Sequence, residues 1–269
     1  LAETNMSVEL MFHTQISAKF REKLRKASAQ LAEMTDGKIL ALTAIRTCYS
    51  ANKPSEIAIK EGAKYFGSVA SDGDSGSDAD RLIRQIVASK HTSTLEGITF
   101  TFAIEGVSRA LLAQLTRHRA GFSFSVQSQR YVRLGSDDRS GGFDYVVPEK
   151  VSTSPKTITE EFDHCDGLEI ERRASDIFSE AMSNAQQAYD KLREAGVPAE
   201  DCRAVLPQAA ATNLVMTVNL RALLGFYAKR RKGNGAQAEI ADLAEALRRE
   251  VTEVEPWTAQ FFEGVSASV

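Results

Sequence analysis

Fifteen consecutive residues, Arg117 to Tyr131 (RHRAGFSFSVQSQRY), gather Arg117, His118, Arg119 and Arg130 with Ser128 and the rings of Phe122, Phe124 and Tyr131. A guanidinium offers a planar fork of donors matched to phosphate oxygens, and an aromatic face can carry a flat heterocycle. This inventory suits a phosphorylated ligand that bears a ring. Two classes fit it: a flavin or nucleotide in an enzyme, and single-stranded nucleic acid in a binding module. The same residues can also do nothing more than complement the negative end of a helix and face water.

The whole chain narrows these choices. With a formal charge of -3 and a pI near 5.9, it lacks the extended basic face of a dedicated nucleic-acid binder, whereas a small anion needs only a few arginines. Cys48, Cys165 and Cys202 are odd in number and widely spaced, and His13, His91, His118 and His164 stand at no ligand spacing. Neither a disulfide framework nor a metal site is indicated, and a reducing cytoplasm is the expected location. No charged segment leads into an apolar run and no stretch approaches the roughly 20 apolar residues that cross a bilayer, so a soluble protein without a membrane partner is expected. The residues before Met6 are expected to carry no functional weight. A serine hydrolase is disfavoured: no Gly-x-Ser-x-Gly elbow occurs, and His118 lies between two arginines that oppose its protonation.

The elements that must position this cluster follow from periodicity. Residues 7–14 alternate as a strand, and 17–33 and 36–47 read as helices. Ser71 to Ala79 has almost nothing to bury and reads as an exposed, mobile loop, after which Asp80 caps an amphipathic helix ending near His91. Residues 98–104 form a strand, Val107 to Arg119 a helix, Gly121 to Ser125 a loop, and Gln127 to Arg133 a short strand. A stripe from Ile170 to Leu192 marks a long helix stopped at Gly196 to Pro198, and a short helix then carries Arg203 up to Pro207. A strand at 213–218, a helix to about Arg231 and a last helix through Ile240 and Val254 complete the chain. The pattern predicts an α+β fold over 1–269, a single domain of long helices packed around a small, mostly antiparallel sheet.

Further candidates lie on these elements. Asn219 and Arg221 stand at a strand-to-helix junction where free backbone N–H groups can meet a phosphate. Arg203 follows a turn and offers a second anion ligand or simply an exposed cation. Arg230, Arg231 and Lys232 close a helix, and His91 sits just past another.

Together these residues resemble the flavin-dependent thymidylate synthase family. Arg117-His118-Arg119 with Ser128-Gln129-Arg130-Tyr131 is similar to its signature, and His91 to Glu96 resembles its His-x-Thr/Ser-x-x-Glu segment. Gln114, Arg203 to Pro207, Asn219 to Arg221, Ala236 to Ile240 and Pro256-Trp257 match further blocks in family order. The resemblance implies a homotetramer with FAD between subunits, which methylates a uracil nucleotide, dUMP or UMP, at C5. NADPH would reduce the flavin and methylenetetrahydrofolate would supply the carbon. It further implies that His91, Ser93, Arg117, His118, Arg119, Asn219 and Arg221 hold the flavin. Gln114, Arg117, Ser128, Arg130 and Arg203 would receive the nucleotide. One further arginine, Arg230 counted from Asn219 or Arg231 counted back from Ala236, would contact the uracil and, with Ser128, serve catalysis.

The departures from the family pattern cluster near the same site. Eight residues, Ala120 to Gln127, separate the Arg-His-Arg from Ser128 where the family has seven, and Val126 replaces an acidic or amide residue. Gly97, Gly225 and Ala238 replace larger side chains. A roomier pocket that accepts UMP as well as dUMP is the expected consequence.

Overall fold

The computed structural model describes residues 1–162 and 168–263, which leaves His164 and Cys165 outside the described residues. In chain order the elements are β1 (Ser7–His13), α1 (Ala18–Ala27), α2 (Ala29–Glu33), α3 (Asp36–Thr47), α4 (Pro54–Gly67), α5 (Asp78–Ala88), β2 (Thr99–Ser108), α6 (Arg109–Leu115) and β3 (Phe122–Val126). There follow α7 (Glu149–Ser152), β4 (Thr157–Phe162), β5 (Leu168–Arg173), α8 (Ala174–Glu194), α9 (Ala199–Cys202), β6 (Ala211–Asn219), α10 (Leu220–Arg230), α11 (Ala238–Val254) and α12 (Ala259–Glu263). Short 3-10 turns occupy Thr92–Leu95, Arg203–Val205 and Pro256–Thr258.

Four strands form an antiparallel sheet in the order β1-β2-β6-β3, and β4 pairs with β5 as a separate ribbon. The alternation that marks β2 and β6 as strands sends Phe100, Phe102, Ile104, Leu214, Met216 and Val218 to one face. There they pack with Leu223, Phe226 and Tyr227 of α10 and Leu243, Leu247 and Val251 of α11. Each such side chain taken fully from water contributes about 1.5–3 kcal/mol. On the opposite face Thr101 and Thr217, cross-strand partners, join their hydroxyls at 2.8 Å. A second apolar cluster, including Leu24, Leu31, Ile39, Leu42 and Phe66, lies under α1–α5. The α+β expectation is borne out.

Several local expectations are corrected. The helix at 17–33 is two helices broken at Ser28, whose extended backbone ends α1. No element is expected at 54–67, yet α4 forms there, opened by Pro54; its apolar stripe is interrupted at Gly62, where an added Cβ would lie 2.6 Å from Leu31 Cδ2. Ser77, not Asp80, caps α5, and Asp80 is the reciprocal partner that accepts from Ser77 N at 2.7 Å. Asp78 and Ala79 thus belong to the helix, while residues 71–76 are exposed and Arg84 grips Asp72 at 2.9 Å. Ile170 lies in β5, not on α8.

The corrections that matter most surround the arginine cluster. Val107 and Ser108 still belong to β2, so α6 starts at Arg109 and ends at Leu115. Gly121 to Ser125 is not a loop: residues 122–126 are strand β3, paired with β6. Residues 127–133 are turns instead of a strand. The reason is register: Phe122 and Phe124 alternate with serines and add to the sheet edge, whereas the Ser128 carbonyl accepts from Tyr131 N and Val132 N and closes a turn.

Candidate functional site

The turn Thr116 to Gly121 is pressed onto the first turn of α10. Gly121 adopts φ +78°, and a Cβ there would lie 2.6 Å from Ala222 Cβ and 2.7 Å from Asn219 Nδ2, so only glycine fits. Asn219 caps α10 by accepting from Ala222 N at 2.8 Å while its own N–H donates to Gly121 O at 3.0 Å. These contacts place Arg117, His118 and Arg119 beside α10 and above the end of the sheet.

His118 is half-buried, with Phe226 edge-on at 5.0 Å and Phe122 at 5.9 Å between ring centroids. Arg230, at the end of α10, points its Nε at His118 Nε2, 3.5 Å away. Burial first, then the charges of Arg230, Lys229 and Arg117, lower the His118 pKa below the ordinary imidazole value. The imidazole is therefore neutral at pH 7, as its flanking arginines led the sequence reading to expect. Arg231, by contrast, lies on the side of Tyr227, whose phenol donates to Glu245 at 2.8 Å.

Arg221 of α10 donates to Glu96 Oε1 at 2.5 Å, which draws the 3-10 turn carrying Ser93 against the start of α10. His91 caps that turn and shares a 3.3 Å hydrogen bond between Nδ1 and the exposed Tyr49 hydroxyl. On the other side, Gln114 Nε2 donates to Gln237 Oε1 at 2.7 Å, and Glu239 accepts from Ser108 N at 2.7 Å and Ser108 Oγ at 2.6 Å. The N-terminal turn of α11 is thereby bolted to α6.

Ser128 and Arg130 are not brought to this end. Strand β3 runs from Phe122, opposite Val218, to Val126, opposite Leu214, a span of roughly 14 Å at about 3.4 Å per residue. Beyond it, Ser128 Oγ accepts from Arg130 N at 3.3 Å, and Arg130 Nε donates to Glu200 Oε2 at 2.9 Å. Glu200 lies on α9, directly before Arg203, which is exposed. Within one chain the candidates thus form two groups: His118, Arg117, Arg119, Asn219, Arg221 and Arg230 at one end of β3, and Ser128, Arg130 and Arg203 at the other.

The comparisons with known proteins decide the lineage. Residues 30–257 match the model of the family described as thymidylate synthase complementing protein. The chain belongs to this family. A flavin-dependent thymidylate synthase from Geobacter sulfurreducens is 42% identical over 182 residues, 68% of each chain. One from Clostridium tetani is 33% identical over 254 residues, covering 88% of this chain and 86% of its own. Among solved structures, a UMP/dUMP methylase PolB from Streptomyces cacaoi bound with 5-Br dUMP shares the fold with a TM-score of 0.66 at 20% identity, over 99% of this chain and 98% of that one. The family resemblance read from the motifs is borne out.

For a member of the thymidylate synthase complementing protein family, the charge pattern is instructive. Among the described residues no carboxylate pairs with Arg117, Arg119, Arg203 or Arg230, while Arg46, Arg84 and Arg172 each hold an acid. Sequence reading missed Arg109, a half-buried cation at the start of α6. It also missed the partners Glu96, Glu200, Tyr49 and Phe226. The signal for Glu96 was present, since it ends the segment from His91; the others depend on contacts between distant segments.

Proposed function

We propose that this chain is a flavin-dependent methyltransferase that converts a uracil nucleotide, dUMP or UMP, to its C5-methyl product, with methylenetetrahydrofolate as carbon donor and NADPH as reductant. The names borne by its family relatives support this, as does the methylase that shares its fold. The observation that carries the reading is the set of unpaired arginines around a half-buried, ring-flanked His118. Cations without acids beside apolar rings leave their donors open to an anion that carries a flat ring.

The residues fit a flavin. Arg117, Arg119, Asn219 and Arg221 would hold its phosphates and ring edge, with His91 and Ser93 along the rim and Gly121 letting the Arg117–Arg119 turn press onto Asn219 and Ala222. Bound there, the reduced cofactor would supply the hydride that completes the methyl group. Arg230 faces the His118 side of α10 and so is the better placed of the two adjacent arginines to meet the uracil carbonyls. Its charge would stabilise the negative charge that develops on the ring as C5 attacks. A neutral His118 accepts from the Arg230 Nε–H and keeps the guanidinium aimed. Gln114, Arg117, Ser128, Arg130 and Arg203 would seat the nucleotide, with Ser128 orienting it through hydrogen bonds.

The two groups of candidates at opposite ends of β3 support a site shared between copies of the chain, as in the homotetramer the family resemblance implies. The Arg130–Glu200 and Arg221–Glu96 pairs are about half exposed, so trading either carboxylate for a ligand phosphate costs little, about 0–1 kcal/mol. The small Gly97, Gly225 and Ala238 support acceptance of both UMP and dUMP.

The test is product analysis with each nucleotide in the presence of NADPH and methylenetetrahydrofolate, together with the absorption spectrum of the purified protein. A flavin band and a 5-methyl nucleotide are expected. A colourless protein that methylates neither nucleotide would overturn the proposal.

A further inference from the structure

Arg109 opens α6 directly after Ser108, and its surroundings are unusual for a half-buried arginine. Its backbone N–H donates to Ala210 O and that of Ala110 donates to Gln208 O, both at 3.0 Å, which stitches the segment after Arg203 onto the start of the helix. Arg203 is the charged neighbour felt by its guanidinium, and both burial and that like charge disfavour the cation. Among the described residues the Arg109 side chain has no carboxylate and no hydrogen-bond acceptor of its own. Glu200, three residues before Arg203, is engaged by Arg130. Two guanidinium groups therefore lie on the same side of the fold with no carboxylate among the described residues to offset their repulsion, next to α9, where Glu200 holds Arg130.

We propose that Arg109 is a binding residue for the 5′-phosphate of the nucleotide substrate, acting with Arg203 as a two-arginine seat for that dianion. The inference rests on the uracil-nucleotide reading above. A phosphate monoester carries close to two negative charges at pH 7 and has several acceptor oxygens, which two forked donors can meet at once. A lone glutamate carboxylate from a folate would satisfy one fork and leave the second arginine unpaired, so the phosphate is the better match.

The experiment is calorimetric titration of the flavin-loaded protein with dUMP and with deoxyuridine, which lacks the phosphate. Arg109→Gln is expected to weaken dUMP binding roughly ten- to hundredfold, the loss for a charge-assisted hydrogen bond, and to leave deoxyuridine unchanged. Arg109→Lys, which keeps the charge but not the fork, should fall between. Without ligand, Arg109→Gln should melt no lower than the wild type, because it relieves the repulsion with Arg203; a structural arginine would give the opposite result. Unchanged dUMP affinity, an equal loss for dUMP and deoxyuridine, or an effect confined to the KM of methylenetetrahydrofolate would each overturn the inference. If the wild type binds no uracil nucleotide, the function proposed above fails, and inorganic phosphate then decides this point separately. Thermal protection by phosphate of the wild type but not of Arg109→Gln keeps the anion seat, and no protection ends it.

Discussion

The helices α1–α5 and the face around α6 and α10 treat charge in opposite ways. Under α1–α5, Arg21 meets Asp36, Lys38 meets Asp80, Arg46 meets Glu61, and Arg84 meets Asp72. Nearly every cation there that lies against the body of the protein has its acid. Around α6 and α10, Arg109, Arg117, Arg119, Arg203 and Arg230 stand without one among the described residues, and His118 is held neutral by burial and by the charges of Arg230, Lys229 and Arg117. The first pattern secures the protein's own helices against one another. The second leaves guanidinium donors open to solvent and to any incoming anion.

The sharpest way to break this contrast is to exchange its consequences. Arg230→Gln is expected to lower kcat by about 100- to 1,000-fold, the usual effect of removing a donor aimed at developing charge, with no drop in Tm. A large loss of stability with little loss of turnover would make Arg230 a structural residue. Asp80→Asn should do the reverse. It accepts from Lys38 Nζ at 2.9 Å and from Ser77 N and Oγ at 2.7 and 2.8 Å while almost fully buried, so its loss strands a buried ammonium and costs about 3–5 kcal/mol. Denaturant unfolding measures this, and KM for the nucleotide should not move.

Acid sharpens the comparison further. Burial alone would raise the Glu61 carboxyl, but hydrogen bonds from Ser50, Asn52 and Arg46 outweigh it and hold the pKa at about 2. The unfolded chain takes up this proton first, so the stabilisation is complete above the ordinary carboxylate range and drains away as the pH falls from about 4.5 toward 2. Glu61→Gln, at about 1–3 kcal/mol of stability near neutral pH, should flatten that limb in a pH series of melts. His118 has its pKa lowered as well, so the unfolded state binds protons more readily once the pH drops below the ordinary imidazole value of 6.5. That penalty begins at higher pH than the Glu61 effect, and His118→Gln should remove it. A wild-type melt that is flat from pH 7 to 5 would deny that His118 is held neutral.

The smallest expected effect is at Ser128. Among the described residues its hydroxyl accepts only from Arg130 N, and its proposed role is to orient the nucleotide. Ser128→Ala should raise the nucleotide KM by about tenfold, the worth of one hydrogen bond, and leave turnover measurable. An obligatory covalent adduct between Ser128 and the nucleotide would replace that role with a nucleophilic one.

Strands β1, β2 and β6, helices α3, α10 and α11 and the order of the site motifs were all legible in the amino-acid sequence, because periodicity and the order of the site motifs are local properties. The residues from Arg117 to Arg130 also marked out a candidate anion site by type alone. Their division between the two ends of β3 was not legible, since Phe122 to Val126 becomes a strand only when β6 lies beside it to take its hydrogen bonds. That Arg230 faces His118 while Arg231 lies on the side of Tyr227 is a matter of helix rotation, which counting from either flanking motif left open. Arg109 looked like any cation at a helix start, and only the packing of the segment after Arg203 against that start revealed two like charges held together. The sequence determined which groups could bind a phosphorylated ring, because donor geometry and charge belong to the residue itself. Tertiary structure alone decided which of those groups face a partner and which are left without one, because pairing depends on distances between segments that lie far apart along the chain.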